Sequence, residues 1–222
     1  MRPMRPDRFS WALASKLRIF TGTKNSDPVS ACQAAGFASF LGAGKGGRVL
    51  EAGCGGGWFG KYLPDTIEPY GIDIDPRMVI IAGKQEPAVI GDITALPYRN
   101  GSFIGIHCHH VLEHLENPGD ALNEFSRVLS PGGRIIAEVP SKWYHIAYED
   151  KTHKQFFTKE SFKKLFLDED FLVVGSEYCA LEFTFVRNPI LFKMLGIAGR
   201  ALCNLNPRFR RNIRILAEKP GA

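Results

Sequence analysis

The sequence predicts an α/β fold on a doubly wound, mainly parallel sheet, and three observations carry that prediction. A short buried strand ends at Arg48–Glu51 and runs into the glycine-rich turn Gly53-Cys-Gly-Gly-Gly57, followed by an apolar segment at Trp58–Leu63. Seven apolar runs of strand character, at 48–51, 68–74, 88–90, 102–108, 134–139, 171–180 and 212–217, are separated by helical patterns and turns. An acid, Asp73, closes the second run 22 residues after Glu51.

The elements follow in chain order. Trp11, Leu13, Leu17 and Phe20 recur at roughly helical spacing, as do Ala34, Phe37, Ala38 and Leu41 in a second helix entered at Asp27-Pro28. Gly42–Gly47 breaks that helix before the first strand. Trp58–Leu63 reads as the opening turns of a helix whose unpaired N–H groups point into the crevice, and Pro64-Asp65 turns the chain into Glu68–Ile74. Asp75 is placed to cap a helix from Pro76, and Ala88–Ile90 is a short third strand. Ser102–Cys108 is the fourth strand, Asn117-Pro118 opens a helix to Leu129, and Ser130-Pro-Gly-Gly133 turns into the fifth strand, Arg134–Val139. An aromatic and charged linker spans 140–157, Thr158 opens a helix to Leu167, and Phe171–Ala180 and Asn212–Ala217 complete the strands.

Two chemistries compete for the glycine turn. Gly55, Gly57 and Gly60 fit G-x-G-x-x-G, the dinucleotide fingerprint, which alone is a weak signal. Glu51 stands two residues before the turn, and an anionic pyrophosphate gains nothing from a carboxylate neighbour. A sulfonium cofactor with a free amino group does gain from it. Asp73 is placed to accept hydrogen bonds from two ribose hydroxyls in either case.

Glu51-Ala-Gly53-Cys-Gly55-Gly-Gly57 resembles the E/D-x-G-x-G-x-G signature of class I S-adenosylmethionine-dependent methyltransferases. Gly91-Asp92-Ile-Thr-Ala-Leu-Pro97 resembles their Gly-Asp-x-x-x-Leu-Pro; Asp-x-Thr would also support a surface Asx turn, but beside Glu51 and Asp73 the cofactor role is favoured. His110-Val-Leu-Glu-His114, then Glu124-x-x-Arg127-Val-Leu-x-Pro131-Gly-Gly133, are similar to the type 11 group of that family, whose members act mostly on small molecules, quinones and other lipids. Ile104 departs from the Asp usual after Ser-Phe. The resemblance covers Arg48 to about Val139. It implies a Rossmann-like sandwich with the last strand antiparallel, and a single domain over 1–222. That domain divides into a helical lead-in (1–46), a cofactor-binding half (47–139) and a substrate half (140–222) with an insertion at 183–210. It also implies S-adenosyl-L-methionine as cofactor, held by Glu51, Gly53, Cys54, Gly55, Asp73, Ile74, Asp92, Ile93 and His109. Asp92 would contact the adenine amine and Ile93 the ring.

His109 and His153 are the candidate general bases, each weighed against a purely structural role. His109 matches a family position bordering the cofactor, and His153 lies in Asp150-Lys-Thr-His153, which recurs in some members after the fifth strand. Five cysteines without C-x-x-C exclude a zinc-ribbon or disulfide framework, and the absence of a clustered ligand spacing predicts no metal.

Hydrophobic content of 45% and charged content of 23% are ordinary for a soluble globular protein. Charge is uneven: residues 1–24 carry +5, 25–186 carry −7 and 187–222 carry +7. The chain lacks a signal-peptide pattern and an apolar run of spanning length, so a cytoplasmic location is expected. The basic, apolar stretch 189–211 adds the expectation of peripheral membrane contact, against packing over the substrate pocket or a dimer partner. The function expected is methyl transfer to a small or lipid-like molecule. The alternatives are an RNA methyltransferase drawn by the basic ends, a non-catalytic cofactor-binding scaffold, and last a dehydrogenase.

Overall fold

The computed structural model describes residues 28–42, 46–179, 202–203 and 205–221. The expected first helix near Trp11 and most of the 183–210 insertion lie outside them. The elements are α1 (Pro28–Leu41), β1 (Gly47–Ala52), β2 (Ile67–Asp73), α2 (Pro76–Ala82), β3 (Ala88–Ile90) and β4 (Phe103–His109), followed by α3 (Pro118–Val128), β5 (Leu129–Pro140), α4 (Lys159–Asp168), β6 (Leu172–Cys179) and β7 (Asn212–Glu218). The seven strands form one sheet in the order β3-β2-β1-β4-β5-β7-β6. β1 pairs in parallel with both β2 and β4, and β7 runs antiparallel to both its neighbours, β5 and β6. The chain winds outward from β1 in one direction and from β4 in the other. Their carboxyl ends therefore part and open a crevice at the switch point.

Strand alternation decides what each face carries. Leu50, Ile106, Ile135, Ala137, Ile213 and Ile215 enter one core with Leu122 and Phe125 of α3 and Phe162 and Phe166 of α4. Val49, Ile136 and Leu216 take the opposite parity and pack with Ala34, Phe37 and Leu41 of α1 and with Phe59. Because Glu51 shares the parity of Val49, it faces the α1 side, as do His107, His109, Glu138 and Arg214 on their own strands. Gly105 lets α1 approach: a Cβ there would meet Leu41 Cδ2 at 2.7 Å and Phe37 Cζ at 2.8 Å.

The structure departs from the sequence expectations in two elements. Trp58–Leu63 does not form an α-helix; residues 53–59 are turn and only Gly60–Tyr62 coil, as one turn of 3-10 helix. Glycines at 55, 56, 57 and 60 weaken any helix there, and Pro64 follows within four residues. Phe59 is drawn into the core instead, stacked on the His107 ring with centroids 3.8 Å apart. The second departure is β5, which begins at Leu129, before the expected turn. Its register against β4 shifts between Phe103 and Gly105, with Gly132 at φ 70° absorbing the irregularity. Asp75 caps α2 through the Arg77 N–H, and Thr158 with Ser161 forms a capping box on α4.

Candidate active site

At the end of β1 the backbone turns through Gly53 (φ 75°), Gly55 (φ 50°) and Gly57 (φ 72°), conformations that side chains resist. Each glycine has its own neighbour. A Cβ on Gly53 would overlap Val111 Cγ2 at 2.2 Å, and one on Gly57 would press on Ala82 at 3.0 Å, whereas one on Gly55 meets nothing within 4 Å. Gly55 therefore borders open space. The turn amides are already committed: Gly53 and Cys54 N–H donate to Ile72 O, Gly57 N–H to Cys54 O, and Gly55 N–H to Asp73 Oδ2 at 2.8 Å. A diphosphate seated on Gly55 and Gly57 would have to displace protein acceptors.

Asp73 also accepts from Asp75 N–H at Oδ1, so two backbone amides fix its carboxylate at the end of β2. Ile74 follows with 73% of its surface exposed, an uncovered apolar platform beside the crevice. Asp92 forms an Asx turn, its Oδ1 accepting Thr94 N–H and Oγ1–H, both at 2.8 Å. Ile93 is in the core, 5% exposed, so the apolar residue displayed here is Ile74. Cys54 is buried, and its thiol is pushed up to about 12 by burial and then by Glu51, Glu86 and Asp73. What Cys54 offers a ligand is main chain.

Glu51 is 7% exposed, and its Oε2 has no hydrogen-bond partner among the described residues. Burial, then the charge of Glu86, pushes Glu51 well above the usual carboxylate range. Glu86 is itself buried and raised by desolvation. It occupies the space that Gly60 and Gly71 leave by lacking Cβ atoms, which would lie 1.7 Å and 2.8 Å from its oxygens. Two buried carboxyl groups with Asp73 nearby make a pocket of negative potential, hostile to phosphate and suited to a cation. Glu86 has no sequence signature, standing before Pro87 in an ordinary helix-to-strand connection.

A second polar group lies across β4, β5 and β7. His109 Nε2 is 3.5 Å from Glu138 Oε1, and its side chain is 26% exposed. Glu138 is 2% exposed, held by Arg214 Nε at 2.7 Å and by Asn212 Nδ2 at 2.8 Å. Burial alone would raise Glu138, but Arg214 and then His109 outweigh it and hold the carboxylate well below its ordinary range. His107, wholly buried beside Phe59, is held well below 6.5 by desolvation and then by His109. His110 adopts φ 54°, accepting from Asn212 Nδ2 at Nε2 and donating from Nδ1 to Glu113 Oε1 at 3.1 Å. A lone Glu and a lone Arg inside strands buried on both faces were the available sequence signal for this network.

His153, the other candidate base, stands apart from that group. Its Nδ1 is 2.7 Å from Ala147 O and its Nε2 3.6 Å from Asp150 Oδ2, against the His114 ring. Of the expected basic face after the insertion, Arg210 and Arg211 are engaged by aromatic rings, lying over Tyr178 at 4.8 Å and Tyr144 at 5.0 Å. Among the described residues no helix is long and apolar enough to cross a membrane.

Residues 50–137 match the family described as a methyltransferase domain. The chain is 30% identical over 119 residues to a probable S-adenosylmethionine-dependent methyltransferase of Mycolicibacterium smegmatis, covering 52% of this chain and 46% of that one. It is 29% identical over 128 residues to malonyl-(acyl-carrier protein) O-methyltransferase of Enterobacter lignolyticus, covering 51% and 50%. A solved S-adenosylmethionine-dependent methyltransferase from Archaeoglobus fulgidus superposes with a TM-score of 0.66 at 21% identity, over 88% of this chain and 96% of that one. The chain spans between 39% and 56% of the length of the curated relatives it matches.

Proposed function

We propose that this protein, whose residues 50–137 match a methyltransferase domain, binds S-adenosylmethionine and transfers its methyl group to a small or lipid-like molecule. The observation that carries the proposal is Glu51, a buried carboxyl group with an unpartnered oxygen, beside a glycine turn whose Gly55 and Gly57 amides are already spent. That combination fits a cationic ligand and opposes a dinucleotide. The open face of Gly55 fits a ligand lying against the main chain.

When bound, S-adenosylmethionine supplies a methyl group on a sulfonium centre. Glu51 would meet the ligand's ammonium group, Asp73 its ribose hydroxyls, Asp92 the adenine amine, and Ile74 one face of the ring. The main contribution of these residues is alignment, since donor and acceptor held in line need little further assistance. His109 is the better base of the two candidates, because both nitrogens of His153 are directed at its own loop. With Nε2–H of His109 directed at Glu138, its Nδ1 takes the proton from the methyl acceptor. Glu138, kept ionised by Arg214, then stabilises the imidazolium. The exposed Leu202 and Leu205 support a subsidiary proposal of lipid-surface contact through 189–211. Liposome sedimentation without salt-sensitive binding would remove it.

Calorimetry with S-adenosylmethionine, S-adenosylhomocysteine and NAD tests the main reading. The two sulfur ligands should bind and NAD should not; tight NAD binding alone would end it. Labelled-methyl transfer into lipid, RNA and soluble fractions of a cell extract identifies the acceptor class. Label entering RNA would favour the nucleic-acid alternative, and cofactor binding without any transfer would favour a scaffold.

A further inference from the structure

Behind the carboxyl edge of β4, the turn at 112–116 and the loop at 147–155 bring together Glu113, His114 and His153. Each offers one ligand atom, and these atoms all lie within 4.8 Å of one another. We propose that Glu113, His114 and His153 form a binding site for a divalent cation of the zinc class, which fastens the loop after β5 to the turn after β4. The proposal does not depend on the methyl-transfer reading.

The tautomers point the same way. His153 Nδ1 faces a carbonyl, Ala147 O, at 2.7 Å, so that nitrogen carries the proton and Nε2 the lone pair. His114 Nδ1 is 2.9 Å from Thr152 Oγ1, whose own proton is given to Asp150 Oδ1 at 2.6 Å. The hydroxyl must therefore accept from His114, leaving the second lone pair on His114 Nε2. Metal-binding histidines are typically held in this way, with the far N–H anchored to a carbonyl or to a carboxylate relay. Glu113 supplies the charge: it is 1% exposed, and Oε2 has no hydrogen-bond partner among the described residues. Its other oxygen lies 3.1 Å from Nδ1 of His110. A carboxylate removed from water needs a positive partner. His153 Nε2 also lies 3.6 Å from Asp150 Oδ2, so a second carboxylate stands beside the cluster.

The segments bearing the ligands are already locked together. Lys154 and Gln155 N–H both donate to Glu113 O, at 2.8 and 3.0 Å, and Gln155 Nε2 reaches Glu116 O at 3.0 Å. Tetrahedral zinc holds its ligand atoms about 3.4 Å apart, so the cluster closes with side-chain shifts of roughly an ångström. Two imidazoles and one carboxylate suit zinc better than magnesium or calcium and leave a fourth position for water or an acceptor oxygen. A second trio, His109, His110 and Glu138, is equally compact, but Arg214 and Asn212 occupy Glu138 and the guanidinium repels a cation.

The test uses tag-free, chelator-stripped full chain and zinc alone, titrated against a chromophoric chelator and counted by elemental analysis. Wild type should take up one zinc per chain. His114→Gln and His153→Gln should each weaken binding on the order of 100-fold, while His109→Gln should retain it. If the variants fail to fold by circular dichroism, wild type alone decides: zinc should protect His114 and His153 from carbethoxylation, mapped by peptide mass. Absence of stoichiometric zinc, unchanged affinity in both variants, or no protection at either histidine overturns the site.

Discussion

At the residue scale, Gly53 and Gly55 look equivalent in the sequence and differ sharply in the fold. Both take positive φ, but only Gly53 abuts a neighbour, Val111, while Gly55 faces open space. Gly55→Ala should therefore fold with a loss of about 1–2 kcal/mol and lose cofactor affinity tenfold or more (on the order of 1.4 kcal/mol), because its methyl enters the ligand's space. Gly53→Ala should cost about 2–4 kcal/mol of stability through backbone strain plus overlap. Thermal melts and calorimetry on the two variants check this; equal affinity for Gly55→Ala and wild type would remove the turn from the site. The turn's glycines were legible because only glycine accommodates such backbone. The identity of the crowded one was not, since Val111 is 58 residues away in sequence.

At the element scale, β5 and β7 are read from apolar runs, yet each carries one charge that only their pairing explains. The register sets Glu138 opposite Arg214, both on the α1 face, with Glu177 of β6 beyond. Arg214→Met leaves a desolvated carboxylate and should cost about 3–5 kcal/mol in urea denaturation, part of which Glu138→Gln in the same chain should restore. The sign with pH follows from Glu138 lying well below its ordinary range. Its contribution is present in full above the unfolded carboxylate range and is lost as pH falls from there through its lower folded value. A loss under about 1 kcal/mol for Arg214→Met would place the pair in water, where ion pairs contribute little. The missing helix after the glycine turn belongs to this scale too. Local apolar pattern favoured it, but Phe59 gained more by stacking on His107 within the core.

At the scale of the whole molecule, Glu51 and Glu86 set a pH dependence opposite in sign to that of Glu138. Both carboxyl groups are raised in the folded state. Their favourable contribution is therefore present below the unfolded carboxylate range and lost as pH rises through their folded values. The ligand-free protein should lose stability above that window, and Glu86→Gln should recover about 1–2 kcal/mol at pH 8, a few degrees in Tm. A cationic cofactor favours ionised Glu51, so the cofactor-induced rise in Tm should grow with pH and binding should release protons. Calorimetry in buffers of different ionisation enthalpy measures that release. A cofactor-induced Tm shift that does not change with pH would separate Glu51 from the ligand's charge.

From the sequence alone came the strand and helix order, the glycine turn, the caps at Asp75 and Thr158, and the charge argument for a cationic ligand at Glu51. These depend on residues close in the chain, where backbone preference and periodicity act directly. Tertiary structure alone decided that Glu86 faces Glu51, that Arg214 fastens Glu138, and that Glu113 and His114 meet His153 across about 40 residues of chain. The reason is physical: a parallel sheet aligns strands distant in sequence, and burial then forces each stranded charge to find its partner from another strand.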